Sequence, residues 1–225
     1  MKKLILFLSL TVIFASCMRD IDQEESNIVK TSNYSLLTTV FQQHSPEYKA
    51  LCLQAYNMAA EKLIYDLEHN DYEVAPAVVL DIDETVLDNS PFEAKSIIEN
   101  TSYPTYWEEW MNEANAKLTP GVEAFLHIAD SLGVEIYYIS NRKHKYLGKT
   151  IENMNMYNLP NTDSSHIWLR TDESSKKARR DKLRKERSII MLIGDNLNDF
   201  DEVFEIDNNE GRTNKVYDLK AKFGV

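Results

Sequence analysis

Residues 77–89 read AVVLDIDETVLDN, an apolar run that ends abruptly in two aspartates one residue apart, followed by a threonine. Consecutive apolar residues after Pro76 are typical of a strand buried on both faces, as in parallel sheets. Because side chains alternate along an extended chain, Asp81 and Asp83 leave its carboxyl end on the same side. Open α/β sheets bind their ligands at that edge. Two close carboxylates repel each other unless a cation or a proton transfer uses them, so the stretch predicts a reactive site.

The same stretch also has a purely structural interpretation, in which Asp and Thr cap the next helix through an Asx-type turn. Two further segments bear on the choice, because each reads as a buried strand whose last residues turn polar. Residues 134–139 (VEIYYI) directly precede Ser140, and residues 188–193 (SIIMLI) end one residue before Asp195. Between these two segments lies a basic stretch that begins at Lys176.

The resulting order is Asp-x-Asp-x-Thr, Ser, Lys and Gly-Asp-x-x-x-Asp. It resembles the four-motif layout of the haloacid dehalogenase superfamily of phosphohydrolases. Within that superfamily, the chain is similar to the class C acid phosphatases, bacterial lipoproteins that act as nucleotidases. Five segments carry this similarity: LDIDETVLDNSPF (80–92), YISNR (138–142), GDNLNDF (194–200), 47–57 and 107–125.

The resemblance implies an α/β fold, namely a Rossmann-like open parallel sheet flanked by helices, with a small helical cap. Residues 47–69 show the amphipathic pattern of a helix that precedes the first strand. Residues from about 92–117 interrupt the alternation of strands and helices, and we expect them to form the cap together with that N-terminal helix. Residues 46–225 would then make up one acid phosphatase domain.

The amino terminus resembles a bacterial lipoprotein signal. Two lysines precede the apolar stretch Leu4–Ala15, which is too short to span a bilayer as a helix. Small residues directly before Cys17 resemble a lipobox, so we expect residues 1–16 to be removed and Cys17 to be acylated. Residues 17–45 would be a tether to the bacterial outer membrane, on its periplasmic or surface face. The alternative is an ordinary secretory signal with an incidental cysteine.

Charge limits the partners of the chain. The formal net charge is −11, and it becomes −13 without residues 1–16, which contain Lys2 and Lys3 and no acidic residue. Such an acidic protein is a poor candidate for binding nucleic-acid polymers. We therefore expect membrane contact only through the lipid anchor, and a homodimer stays open as a further partner.

The resemblance assigns the chemistry of the two aspartates and a magnesium ion. Asp81 would attack phosphorus and carry an aspartyl-phosphate, since an ionised carboxylate needs no base to activate it. Asp83 would protonate the leaving oxygen and then activate the water. The family holds Mg²⁺ through the carboxylates that match Asp81 and Asp195 and through the backbone carbonyl that matches Asp83. Asp199 would orient a metal-bound water or the lysine from the second coordination shell.

Substrate binding is assigned to four further residues. Ser140 and Asn141 would donate hydrogen bonds to the phosphate oxygens, and Lys176 would neutralise the phosphoryl charge. The alternative for the lysine is a solvated helix face, because residues 176–187 carry eight Lys or Arg. Lys176 is chosen over its neighbour Lys177 because the family has an Arg three residues after its lysine. Trp107 resembles the family's base-stacking aromatic.

Trp107 and Trp110 also allow a structural interpretation, because residues three apart on a helix share a face and could pack the cap against the domain. The leading function is hydrolysis of nucleoside monophosphates by a Mg²⁺-dependent phosphomonoesterase. One alternative is a broad acid phosphatase that acts on sugar phosphates or other small phosphomonoesters. Another is a catalytically silent envelope lipoprotein that keeps the fold for binding or storage. The chain has no Gly-x-x-x-x-Gly-Lys loop and no histidines at metal-ligand spacing.

Overall fold

The computed structural model describes residues 35–223. These residues fall into two compact units, one formed by residues 35–45 and 90–106 and the other by residues 46–89 and 107–223. Within the described range, no helix combines the length and the apolar character that crossing a bilayer requires. The predicted signal peptide, Cys17 and most of the predicted tether lie outside the described residues. The last part of the predicted tether, residues 35–44, is helical and is named α1.

The larger unit is built on a four-stranded parallel sheet. Its strands are β1 (Pro76–Leu80), β4 (Glu135–Lys143), β5 (Ile167–Arg170) and β6 (Ser188–Ile193), in the spatial order β5-β4-β1-β6. All neighbouring strands pair in parallel. The short strands β2 (Leu87–Asp88) and β3 (Lys117–Leu118) form a separate antiparallel pair. The open parallel sheet predicted from the sequence is therefore present.

Helices cover both faces of this sheet, which explains the unbroken apolar run of β1. Val78 and Leu80 pack on one face with residues of α2, α5 and α6, whereas Ala77 and Val79 pack on the other face with Leu183 of α7. The helices of the larger unit are α2 (Pro46–His69), α4 (Trp107–Glu113), α5 (Val122–Ser131), α6 (Leu147–Asn155), α7 (Lys177–Leu183) and α8 (Asn209–Asp218).

The smaller unit contains α1 and α3 (Ser90–Ile98). After α3, the backbone N–H of Thr101 donates to the carbonyl of Ser96 at 2.8 Å. The ammonium group of Lys95 lies 4.4 Å from the centre of the Tyr106 ring. The segment predicted as a cap, from about 92–117, thus contributes α3 to the smaller unit and α4 to the larger one.

One strand is longer than the sequence indicates. The sequence analysis places Ser140 directly after a strand that ends at Ile139, whereas β4 continues to Lys143. Its pairing with β5 is irregular between Ser140 and Lys143, where the register shifts. Irregular pairing of this kind changes the direction of side chains and is common near reactive sites. The polar residues at the end of β4 therefore still belong to the sheet.

Candidate active site

The turn after β1 is a compact loop that carries Asp83. The backbone N–H groups of Val86 and Leu87 both donate to the carbonyl of Ile82 at 2.8 Å. Glu84, in the middle of this loop, has a φ of 57°, in the left-handed region that residues with a side chain rarely adopt. Unusual backbone of this kind is kept where surrounding contacts hold it, often at reactive sites. The loop therefore fixes the position of Asp83 beyond the end of β1.

Backbone contacts tie the ends of β1 and β6 together. The N–H of Asp81 donates to the carbonyl of Ile193 at 2.9 Å, and the N–H of Asp195 donates to the hydroxyl of Thr85 at 3.1 Å. The hydroxyl of Tyr56 in α2 donates in turn to the carbonyl of Thr85 at 2.7 Å. Thr85 thus joins the first and last motifs, a role that the sequence did not reveal.

Lys176 lies between two buried carboxylates. Its Nζ pairs with Asp81 and lies 2.6 Å from Oδ1 of Asp199. The side chain of Lys176 is 5% exposed, whereas that of Lys177 is 49% exposed and pairs with Asp181 at 2.7 Å. The alternative that the basic residues form a solvated helix face therefore applies to Lys177 and not to Lys176. The structure brings Lys176 to Asp81, and its action on a phosphoryl group stays a prediction.

Three carboxylates gather at this sheet edge. Asp81, Asp195 and Asp199 each offer one oxygen, and these oxygens lie within 4.8 Å of one another. Burial raises the pKa of Asp81 to about 7, with further repulsion from Asp199 and Asp83, although Lys176 opposes the shift. Desolvation, followed by the charge of Asp199, raises the pKa of Asp195 to about 6. Crowded carboxylate oxygens that are short of positive charge fit a hard divalent cation.

Asp199 differs from the other two carboxylates because both of its oxygens are engaged. Oδ1 pairs with Lys176, and Oδ2 accepts from the backbone N–H of Asn196 at 3.0 Å. Gly194 leaves room for this arrangement, since a Cβ there would lie 2.7 Å from Cγ of Asp199. The buried Arg180, which the sequence analysis did not single out, donates to the carbonyl of Asp199 at 3.1 Å. Asp199 is thus placed to orient the lysine, one of its two predicted roles.

Ser140 and Asn141 lie at the irregular end of β4, where Arg179 of α7 holds them. The guanidinium donates to the carbonyl of Ser140 at 2.6 Å and to Oδ1 of Asn141 at 2.7 Å. Because Arg179 occupies the amide oxygen, the amide nitrogen of Asn141 remains as a donor. The hydroxyl of Ser140 lies 3.4 Å from Oδ2 of Asp83. Their contacts with a phosphate stay predictions.

Arg142 is a residue of the site that the sequence analysis missed. It is buried, and its Nε and Nη2 lie 2.9 and 2.8 Å from Oδ1 of Asp83. Its Nη1 donates to Oγ1 of Thr150 in α6 at 3.2 Å. Arginine side chains are mostly exposed, so the residue type gave no sign that Arg142 is buried. Its spacing could have done so, because residues two apart on a strand share a side and Arg142 follows Ser140 by two.

The two predicted cap tryptophans lie on α4. Trp110 packs against the main core, and its indole N–H donates to Oδ1 of Asn89 at 2.8 Å. Asn89 in turn donates to Oδ1 of Asp83 at 2.7 Å. Trp107 is half-buried at the start of the same helix. Its predicted stacking on a nucleobase is not tested by these contacts and stays a prediction.

A polar cavity of about 360 Å³ adjoins the phosphate-binding candidates. It shares Asn141 with them, and Ser175, Asn198 and Asp207 also line it. Arg212 of α8 reaches it and donates to Oδ1 of Asn198 at 3.4 Å. Because its walls offer many hydrogen-bonding groups, this cavity suits a polar rather than an aromatic group.

A Rossmann-like parallel sheet that gathers a buried lysine and three aspartates at its carboxyl edge has the architecture of the haloacid dehalogenase class. The family model for HAD superfamily, subfamily IIIB (Acid phosphatase), matches residues 13–220, and the chain belongs to this family.

Two solved structures agree with this assignment, and a plant protein is similar to part of the chain. The class C acid phosphatase from Bacillus anthracis is 39% identical, with a TM-score of 0.82 over 85% of this chain and 80% of that one. The same enzyme with tungstate bound is 40% identical, with a TM-score of 0.82 over 85% and 81% of the two chains. Vegetative storage protein 1 from Arabidopsis thaliana is 30% identical over 129 residues, which are 52% of this chain. The match spans 46% of that relative's length.

Proposed function

We propose that this chain is a Mg²⁺-dependent phosphomonoesterase that works through a phosphorylated Asp81. The observation that carries the proposal is the buried contact of Asp81 with Lys176, beside the carboxylates of Asp195 and Asp199. A related phosphatase holds tungstate, which is a tetrahedral oxyanion like phosphate. The carboxylate of Asp81 and a substrate phosphate are both anions and repel each other. The fixed positive charge of Lys176 would reduce this repulsion during the attack.

The side chains of the site divide the steps of the proposed reaction among them. A carboxylate oxygen of Asp81 forms a bond to phosphorus while the bond from phosphorus to the leaving oxygen breaks. Asp83 gives its proton to that oxygen and afterwards takes one from the water that attacks phosphorus, while the bond between Asp81 and phosphorus breaks and inorganic phosphate leaves. Lys176, Ser140 and the amide nitrogen of Asn141 hold the phosphoryl oxygens.

The carboxylates of Asp81 and Asp195 and the backbone carbonyl of Asp83 would hold the magnesium ion. Bound there, the ion would neutralise the negative charge of the crowded carboxylates and of a phosphoryl group. The hard oxygen donors of this site favour Mg²⁺ over softer metals, which prefer sulfur and nitrogen. Asp199 keeps Lys176 in place, since both of its oxygens are already engaged.

Nucleoside monophosphates are the proposed substrates, with Trp107 stacking on the base. The polar cavity beside Asn141 favours a second candidate, a sugar phosphate whose hydroxyl groups would bind its side chains. Both leaving groups are alcohols, so the chemical steps are the same for either substrate.

A phosphate-release screen over nucleoside monophosphates and sugar phosphates tests the proposal and separates the substrates. The purified protein should release phosphate from at least one class in Mg²⁺, and the Asp81→Asn variant should not. A protein that releases none from any substrate would fit a storage or binding role, in line with the name of the plant relative.

We also propose that the protein is anchored to the bacterial outer membrane by acyl chains on Cys17. The support is the lysine-led apolar stretch and the small residues before Cys17. Labelled fatty acid should be incorporated into the full-length chain and not into a Cys17→Ser variant. Equal labelling of both would contradict acylation at this residue.

A further inference from the structure

The two carboxylate oxygens of Asp83 have unequal surroundings. Oδ1 accepts hydrogen bonds from Asn89 Nδ2 at 2.7 Å and from Arg142 Nε at 2.9 Å, and Nη2 of Arg142 lies 2.8 Å from the same oxygen in an ion pair. Oδ2 has one contact in the described structure, the hydroxyl of Ser140 at 3.4 Å. These contacts occupy Oδ1, so Oδ2 is the oxygen that is left to face a leaving group. The side chain is 26% exposed, which leaves it open to the site.

Asn89 can donate to Asp83 only in one of its two amide orientations. The amide oxygen accepts from the indole N–H of Trp110 at 2.8 Å. An indole N–H donates and never accepts, so Trp110 requires an oxygen at that position. The amide nitrogen must then point toward Asp83, and it also lies 3.2 Å from Glu84. Trp110 therefore selects the rotamer of a residue that itself orients Asp83.

Arg142 is fixed from its far side in the same way. Its side chain is fully buried, and Nη1 donates to the hydroxyl oxygen of Thr150 at 3.2 Å. The planar guanidinium holds its donors in a rigid fork, so a contact at Nη1 sets the direction of Nε and Nη2. Trp110 on α4 and Thr150 on α6 thus act on the same carboxylate oxygen, one through Asn89 and the other through Arg142.

We propose that Trp110, acting through Asn89, and Thr150, acting through Arg142, are positioning residues for proton transfer by Asp83. They keep Oδ1 occupied, so that Oδ2 alone gives the proton to the leaving oxygen as the bond between phosphorus and that oxygen breaks. The inference rests on the proposed function, and it adds that α4 serves the chemical step as well as the fold. Misplacing an acid by a fraction of an ångström slows those reactions that need the acid most.

The test compares an alkyl phosphate with an aryl phosphate in the Trp110→Phe and Thr150→Val variants. Both substitutions keep most of the side-chain volume and remove one hydrogen-bonding group. The ratio kcat/KM reports the steps up to formation of the phosphorylated enzyme, where the leaving oxygen is protonated. Loss of one positioning hydrogen bond should lower kcat/KM for the alkyl phosphate by about 5- to 10-fold and for the aryl phosphate by less than about 2-fold.

Trp168→Phe is the matched control, because the indole N–H of Trp168 donates at the same 2.8 Å distance, to the carbonyl of Ser165. It should leave the ratio of the two rates as in the unaltered protein. Equal losses for both substrates in Trp110→Phe and Thr150→Val, or no loss, would overturn the inference while leaving the proposed function intact. An unaltered protein that releases phosphate from neither substrate would overturn both. Two variants on different helices keep the test decisive if one of them fails to fold.

Discussion

Replacing Lys176 by Met tests the central ion pair of the site. Methionine keeps the length of the chain but removes the charge that Asp81 and Asp199 share, and both carboxylates are only 8% exposed. Breaking a buried pair by removing one partner costs about 3–5 kcal/mol of folding free energy. For a domain of this size that corresponds to a fall in Tm of roughly 6–20 °C.

The destabilisation should depend on pH in a defined direction. The pKa of Asp81 is raised from 3.8 to about 7 by burial, and Lys176 opposes this rise. Lys176→Met should therefore raise it further. A carboxyl group with a raised pKa in the folded state binds its proton more tightly than in the unfolded state. The stability that this group contributes is present below pH 4 and is lost as pH increases toward 7 and above, so Lys176→Met should regain Tm as pH falls from 8 to 5.

Lys177→Met is the control at the adjacent position, where the side chain is half exposed and pairs with Asp181. Thermal melts of both variants in chelator at several pH values, with phosphate release in Mg²⁺, make the comparison. Lys176→Met should lose at least about 100-fold in kcat, the usual effect of removing a fixed charge from a transition state. Lys177→Met should stay close to the unaltered protein in both measurements. Equal effects of the two substitutions, or a loss of Tm that does not vary with pH, would refute the reasoning.

Further predictions concern the nucleophile, the metal, the aromatic residue and the glycine. Asp81→Asn should abolish phosphate release with a melting curve that still shows a folded protein, because the amide keeps the volume but not the charge; measurable turnover would exclude Asp81 as nucleophile. Chelation should inactivate the enzyme and Mg²⁺ should restore it, whereas Asp195→Ala should stay inactive at ordinary Mg²⁺ concentrations; full activity after exhaustive chelation would contradict a metal site. Trp107→Ala should raise KM for nucleotides and spare phenyl phosphate, since base stacking is worth about 1–3 kcal/mol; equal damage to both substrates with a lower Tm would make Trp107 a packing residue. Gly194→Ala should lower activity by displacing Asp199, which a Cβ would approach to 2.7 Å at Cγ; an unchanged rate would show that Asp199 can shift without consequence.

The sheet and the position of the acidic residues could be predicted from the sequence. A strand buried on both faces gives a continuous apolar run, and in a parallel sheet all carboxyl ends lie at one edge, so Asp81, Ser140 and Asp195 had to lie near one another. The choice between Lys176 and Lys177 could not be made from helical periodicity. Adjacent residues on a helix point about 100° apart, but this spacing does not say which of the two lysines faces the site. The choice depended on the resemblance, and the structure places Lys176 at the carboxylates.

The network around Asp83 could not be predicted in the same way. Asn89, Trp110, Arg142 and Thr150 come from four separate segments, and their contacts depend on side-chain rotamers rather than on spacing along the chain. Asparagine and arginine are mostly exposed residues, so their types argued against burial. The extension of β4 beyond Ile139 was missed for a related reason, since polar residues normally mark the end of a buried strand.

Through its contact with Arg142, the side chain proposed as the acid of the reaction, Asp83, is also part of the folded structure. The guanidinium is completely buried, and the carboxylate lies 2.8 Å from it. Truncating Asp83 would leave that cation without its counter-charge, at a cost of about 3–5 kcal/mol. An Asp83→Ala protein is therefore a poor inactive reference for this enzyme, because its lost activity combines missing chemistry with a smaller folded fraction. An organism that lost the activity would still be under selection to retain this acid, so its presence in a related chain is weak proof of an active enzyme.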